Sequence, residues 1–161
     1  MAEPGNVQLA IERIYLRDVS FESPRAPTVF QQQWTPQVAL DINTKANDLG
    51  DGLFEVILTV TLDAKVDQTV DGETSKVSAL IVELQQAGIF RIEADGDVHD
   101  QVLAVACPTI LFPYVRETVD SLVSKGSFPP FGLAPVNFEA LYTEALRRRT
   151  AAASDPTQVQ N

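Results

Sequence analysis

Few side chains in this sequence could act on a substrate. His99 is the single histidine and Cys107 the single cysteine, eight positions apart. A Ser–His or Cys–His pair would have to use His99 as its base. That spacing is not the three or four residues of helical neighbours. The simpler reading is a helix-surface histidine and a small buried hydrophobe. One cysteine and one histidine do not make a zinc site. Gly50 and Gly52 precede a strand and lack the lysine of a phosphate-cradling loop. Asp18 and Glu22 share a strand face, roughly 13 Å apart if it is straight. That exceeds the separation used by glycosidases. The pair reads either as edge protection and solubility or as an acidic docking surface. No catalytic residue, metal or cofactor is expected.

Two proline- and aromatic-bearing links are the other candidates. Phe128-Pro129-Pro130-Phe131 lies in one, and Phe30 and Trp34 lie in the link from Thr28 to Thr35. Their aromatics either complete a core or bracket an elongated apolar channel.

The elements that must hold these residues are strands first and helices last. Val7 to Glu22 alternates, with Val7, Leu9, Ile11, Tyr15, Val19 and Phe21 on one face; Ile14 and Leu16 are out of phase. Sixteen residues exceed an ordinary strand, so a bend or bulge is expected. Pro24 and Pro27 end the ladder. A second strand runs from Pro36 to about Thr44, and residues 47–52 are a turn by composition. A third runs from Leu53 to about Lys65, and an acidic stretch with an Asp71-Gly72 turn follows. A fourth runs from about Lys76 to Ala87, with Gly88 ending or bulging it. Asp97 is the expected N-cap of a long helix, broken or kinked near Pro108 and Pro113, with Gly126 as C-cap. Asn137 caps a last helix whose apolar face is Phe138, Leu141, Tyr142, Ala145 and Leu146.

This order implies an α+β fold: a four-stranded antiparallel sheet with a long kinked helix and a C-terminal helix packed on one face. The domain is expected over 7–149, with a disordered arm at 1–6 and a disordered tail at 150–161. The open face would be acidic, with Glu12, Asp18, Glu22, Asp41, Glu55, Asp63 and Glu83. Long free edges favour an oligomer with a continued sheet over a monomer with protected edges.

A net charge of −10 argues against nucleic acid and anionic lipid. No apolar run of about 18 residues is visible, so no membrane insertion is expected. No secretory signal is seen, and one unpaired cysteine fits the cytoplasm.

Several segments together resemble the SecB family of bacterial protein-export chaperones. They are Ile11-Glu12-Arg13-Ile14-Tyr15, Asp18-Val19-Ser20-Phe21-Glu22-Ser23-Pro24 with Ala26-Pro27, and Gln85-Gln86-Ala87-Gly88-Ile89-Phe90. Cys107 to Glu117 and Leu133-Ala134-Pro135-Val136-Asn137-Phe138 continue the match in order. The resemblance implies a homotetramer, a dimer of dimers, that binds unfolded preproteins and delivers them to the SecA motor without ATP or metal. It implies SecA docking at Asp18, Glu22, Ile81 and Glu83. It implies a client groove at Trp34, Val38, Leu40, Phe131, Leu133, Leu141 and Tyr142. The acidic Val66–Ser75 stretch is longer than the family pattern, and the tail from Ala151 carries only Asp155 as a charge. Two other readings remain at this point: a SecB-like chaperone dedicated to a toxin–antitoxin pair, and a small-ligand α+β enzyme.

Overall fold

The computed structural model describes residues 6–154, so all but residue 6 of the arm expected at 1–6, and residues 155–161 of the tail expected at 150–161, lie outside the described residues. Strands β1 (Gln8–Glu22), β2 (Gln37–Gly50), β3 (Leu53–Val70) and β4 (Glu73–Glu93) form one sheet in the order β1-β4-β3-β2. All neighbours are antiparallel. Helix α1 (Gly96–Lys125) and helix α2 (Phe138–Ala153) follow.

The sheet buries one face under α1. Val56, Leu58, Val60, Leu62, Leu80, Val82, Leu84 and Phe90 meet Cys107, Leu111, Val115, Val119 and Val123 in one apolar core. The helical residues recur every fourth position, so they form one stripe. The strand residues are even-numbered throughout, as a period of two requires.

β1 explains its own exceptions. Its register against β4 shifts between Ile11 and Arg13 and again between Leu16 and Asp18. Each shift adds one residue and turns the following side chains over. Ile14 and Leu16 therefore join Leu9, Ile11, Val19 and Phe21 on the helix side, and Tyr15 moves to the open side, opposite Ala87. Placing Tyr15 with the apolar set is corrected accordingly. Gln86 is buried and its Nε2 donates to the Tyr15 carbonyl oxygen at 3.1 Å, holding the chain between the two bulges.

Three strands run further than their local pattern implies. β2 continues to Gly50, so the turn shrinks to Asp51-Gly52. β3 and β4 extend as a two-stranded ribbon to Asp71-Gly72, where φ is 51° and 80°. A two-residue turn with both φ values positive matches the twist of its strands, so the ladder need not stop. Lys76 Nζ meets Asp67 Oδ1 at 2.7 Å, and the Thr69 and Thr74 hydroxyls meet at 2.9 Å across the ribbon. β4 also passes through Gly88. A Cβ there would lie 2.8 Å from the Phe90 ring and 3.1 Å from the Arg13 carbonyl. The glycine marks close packing, not a strand end.

Asp95, not Asp97, occupies the N-cap position of α1. The helix is α-helical over Gly96–Gln101, π-helical over Val102–Ala106 and α-helical again over Cys107–Lys125. The wide turn sits where Pro108 offers no N–H to the preceding turn. Thr109 Oγ1 donates to the Val105 carbonyl at 2.6 Å beside it. Pro113 lies on an exposed side within continuous α-helix. The break is thus at Pro108 alone. As one 30-residue helix, α1 holds an 18-residue window of mean hydropathy 1.3, long and apolar enough by composition to cross a bilayer. This corrects the expectation that no such stretch exists. Its stripe is instead committed to the sheet.

Asn137 Oδ1 accepts from the Ala140 amide at 3.0 Å, capping α2 as its type predicts. Asn137→Ala is expected to lose about 1 kcal/mol, and Asn137→Asp to retain stability, in thermal melts. Of the α2 apolar face only Phe138 is buried; Leu141, Ala145 and Leu146 are exposed. The helix reaches Ala153, four residues into the segment expected to be a tail (150 to 153).

Candidate functional site

The residues singled out for catalysis have ordinary surroundings. Burial pushes the Cys107 thiol up to about 12, far from a thiolate at neutral pH. His99 is more buried than a surface residue: its ring packs edge-on against Phe54 at 4.7 Å. Among the described residues no cluster of three potential metal ligands occurs.

The helix side of β2 is different. Val38 and Leu40 point to the same side as the core residues Ala64 and Leu62 beside them, yet they are 41% and 38% exposed. Ile42 continues this row into a groove of about 1060 Å³ between β2, the start of α1 and α2. Leu103, Phe138, Leu141, Tyr142 and Leu146 line it. Trp34 lies at the other end of the β2 approach, with its ring centroid 5.0 Å from Phe128; Phe30 lies 5.2 Å from the same ring. Phe131 and Leu133 are partly buried against the core. The structure thus gathers Leu141 and Tyr142 in one groove, holds Trp34 in a separate aromatic cluster, and joins the two in sequence by Val38 and Leu40. Ile42, Leu103, Phe138 and Leu146 in the groove, and Phe128 in the aromatic cluster, were missed. Ile42 is in phase with Val38 and Leu40, and Leu146 lies four residues after Tyr142, so both were legible. The composition of the loop did not separate Phe128 from Phe131, and the resemblance named Phe131 alone.

The open face is electrically divided. Pairings Ser20↔Glu83, Glu22↔Ile81 and Asp18↔Gln85 put Asp18, Glu22, Ile81 and Glu83 on one side of two adjacent strands. Asp63↔Ile81 and Asp41↔Thr61 add two more carboxylates across β3 and β2. None of these five acidic groups is in a salt bridge among the described residues. At the other end Glu12 pairs with Arg91 at 3.1 Å and Glu55 with Arg17 at 3.0 Å. Glu55 also accepts from Asn47 at 3.0 Å and from the Tyr15 hydroxyl.

The Tyr15 bond, then the Asn47 bond, hold the Glu55 carboxyl below its usual range. Burial and the Glu55 contact raise Tyr15 to about 12. A depressed carboxyl contributes stability above its unfolded value, and the contribution disappears as pH falls through its folded value. Glu55→Gln is therefore expected to lower stability at pH 7 but converge with the wild type in acid, below the folded Glu55 pKa. Urea unfolding across pH 2.5 to 7, ranges set by ordinary carboxyl titration, checks this. The raised tyrosine works the other way, its contribution fading as pH rises from 10 towards 12.

Comparison with known proteins decides the family. The family model described as preprotein translocase subunit SecB matches residues 2–149. The chain belongs to the SecB family. It is 51% identical over 148 residues to the protein-export protein SecB of Marinobacter nauticus, covering 91% of this chain and 85% of that protein. It is 47% identical over 158 residues to the Pseudomonas fluorescens SBW25 protein of the same name, covering 98% and 94%. Among solved structures, a Mycobacterium tuberculosis SecB-like chaperone in complex with an antitoxin peptide superposes with a TM-score of 0.63 at 18% identity, over 80% of this chain and 90% of that one. That likeness concerns the SecB fold: the four-stranded sheet and two helices described above.

Proposed function

We propose that this SecB-family protein is a chaperone that holds unfolded precursor proteins in its β2–α2 groove and hands them to the SecA motor, in the cytoplasm and as a tetramer made of two dimers. The uncovered apolar row Val38-Leu40-Ile42 beside Leu141 and Leu146 carries this reading. Unfolded chains expose apolar side chains, and burying them is worth roughly 25 cal/mol per Å². A shallow groove with an apolar row along β2 and α2, rimmed by polar side chains such as Asp97, Asp100 and Glu139, captures many sequences without reading one. Several weak contacts on one long client add through effective concentration. This is binding, not catalysis, and needs neither nucleotide nor metal.

Two further observations favour the assembly. Ile11, Leu16 and Val19 are exposed on the helix side of the edge strand β1, and only a third of the apolar window of α1 is buried. A second copy covering both would remove that surface from water. Four copies at −10 each would carry about −40, which keeps a client-loaded complex dispersed. The unpaired carboxylate end of the open face suits a basic segment of SecA. The export reading is preferred to a toxin–antitoxin role because relatives named for export are near half identical, whereas the antitoxin-bound neighbour is far more distant.

Light scattering of the purified protein with and without a denatured client tests the proposal. The expected result is a tetramer mass that rises by one client. A monomer that binds no client would overturn it. In the same measurement, Ile11→Asp with Leu16→Asp is expected to shift mass towards smaller species, since both side chains are already exposed in the single chain.

A further inference from the structure

Two consecutive residues of β1, Arg17 and Asp18, carry opposite charges on one face of the sheet. On a regular strand such neighbours point to opposite faces. Here the register passes from Leu16↔Gln86 to Asp18↔Gln85, so Arg17 is the extra residue of the bulge. Asp18 lies on the open side with Gln85, and Arg17 Nη1 meets Glu55 Oε1 on that same side at 3.0 Å. The ion pair that adjacency offers is not the one that forms. Asp18 is exposed and in no salt bridge among the described residues. Arg17 instead reaches across β4 to β3. Its acceptor is held from two other directions: the Tyr15 hydroxyl donates to Glu55 Oε2, and Asn47 Nδ2 donates to Oε1 at 3.0 Å. These donors stand on β1 and β2, so the Glu55 carboxylate is fixed independently of Arg17. Ala87, opposite Tyr15 on the strand between, is fully buried although it lies on the open face. The other bulge repeats the arrangement with the signs reversed. Its extra residue, Glu12, pairs with Arg91 at 3.1 Å and not with Arg13 beside it.

We propose that Glu55 is a positioning residue for docking: by holding Arg17 across the sheet it keeps the neighbouring Asp18 unpaired and open to a basic segment of SecA. The inference rests on the docking reading given above. A guanidinium released from Glu55 has the Asp18 carboxylate beside it, and a carboxylate already paired attracts an incoming cation less. Release needs only the charge at position 55 to go, because a guanidinium bonds a carboxylate more strongly than a neutral amide. A glutamine there still offers an oxygen to one donor and an amide to the Tyr15 or Asn47 oxygen, so the contact between strands survives in large part.

The test is calorimetric titration of the full chain, in its native assembly, with SecA at one fixed ionic strength. Glu55→Gln is expected to dock about fivefold more weakly, the upper end of what one exposed ion pair is worth. Arg17→Gln alone is expected to change docking less than about twofold, because Arg17 is already engaged. Added to Glu55→Gln, it should bring docking back to within about twofold of wild type, since no cation is left to cover Asp18. A simple sum of charges predicts otherwise: Arg17→Gln would then act equally in both backgrounds, and that result overturns the proposal. Wild-type docking in Glu55→Gln overturns it too, as does a loss that Arg17→Gln does not repair. Binding of reduced, alkylated lactalbumin, a permanently unfolded client, is the second readout and should stay within about twofold in all three variants. A parallel loss of client binding would mark a damaged fold and overturn the positioning role. Failure of the wild type to dock SecA is distinct from all of these: it overturns the docking reading first, and this inference with it.

Discussion

Phe90→Ala is expected to destabilise the protein by about 3–5 kcal/mol, the range for deleting a buried aromatic ring. Phe90 is fully buried, and its ring covers Gly88 from the helix side. Its cross-strand neighbours are Ile11 on β1 and Phe54 on β3. Removing the ring leaves a cavity under α1 and uncovers the glycine at the point where β1 changes phase. Neither neighbour can fill the space cheaply: Phe54 is engaged with His99, and Ile11, although on the helix side, sits on the edge strand at 52% exposure. Urea unfolding at fixed protein concentration is the measurement, because assembly adds a concentration-dependent term. A loss below about 1 kcal/mol would mean that the sheet relaxes around the deletion, against the close packing described.

Asp18→Lys together with Glu83→Lys is expected to weaken SecA docking at least thirtyfold while leaving client binding within about twofold. Close interfacial charge pairs couple by roughly 1.5 kcal/mol or more, and reversal replaces attraction with repulsion. Both side chains are exposed and in no salt bridge among the described residues, so the exchange breaks no internal ion pair. The useful control is Glu12→Gln. Glu12 lies on the same face but is already paired with Arg91, so its loss should change docking less than twofold. Calorimetric titration with SecA and separately with an unfolded client reads both. Equal loss of both affinities would sink the assignment of the two activities to opposite faces of the sheet. Raising ionic strength should weaken the wild-type docking and have little effect on the double variant.

Much of the architecture was legible residue by residue. Even-numbered apolar residues in β3 and β4, Asp71-Gly72 as a hairpin turn and Asn137 before α2 each act through rules that reach only a few positions, whereas Gly126 keeps φ at −78° and leaves room for the Phe21 ring of β1. The acidic open face and the apolar row of β2 followed from the same alternation. Strand ends were less legible. β3 and β4 run on into the ribbon because their partners are each other, through Lys76–Asp67 and Thr69–Thr74, and such pairings are not local. Within the site, helical spacing put Leu141 and Tyr142 on one apolar face, and the resemblance to SecB put them in a groove. The resemblance named Phe131 and not Phe128, while the loop's composition did not separate them, since both are phenylalanines beside proline and only the chain path decides which one is buried.

The chain's own alternation, caps and turn residues determined a four-stranded sheet with helices to one side, and its ordered motifs determined the family. Only the tertiary structure decided that β1 changes face twice, sending Tyr15 to the open side to hold Glu55. Only it decided which carboxylates are neutralised by arginine and which stand free, and that Asp120 ties down the loop after α1. The physical reason is range. Periodicity and capping act between residues a few positions apart. A bulge depends on the strand it pairs with, and an ion pair or a latch depends on atoms brought within 3 Å or so from distant parts of the chain.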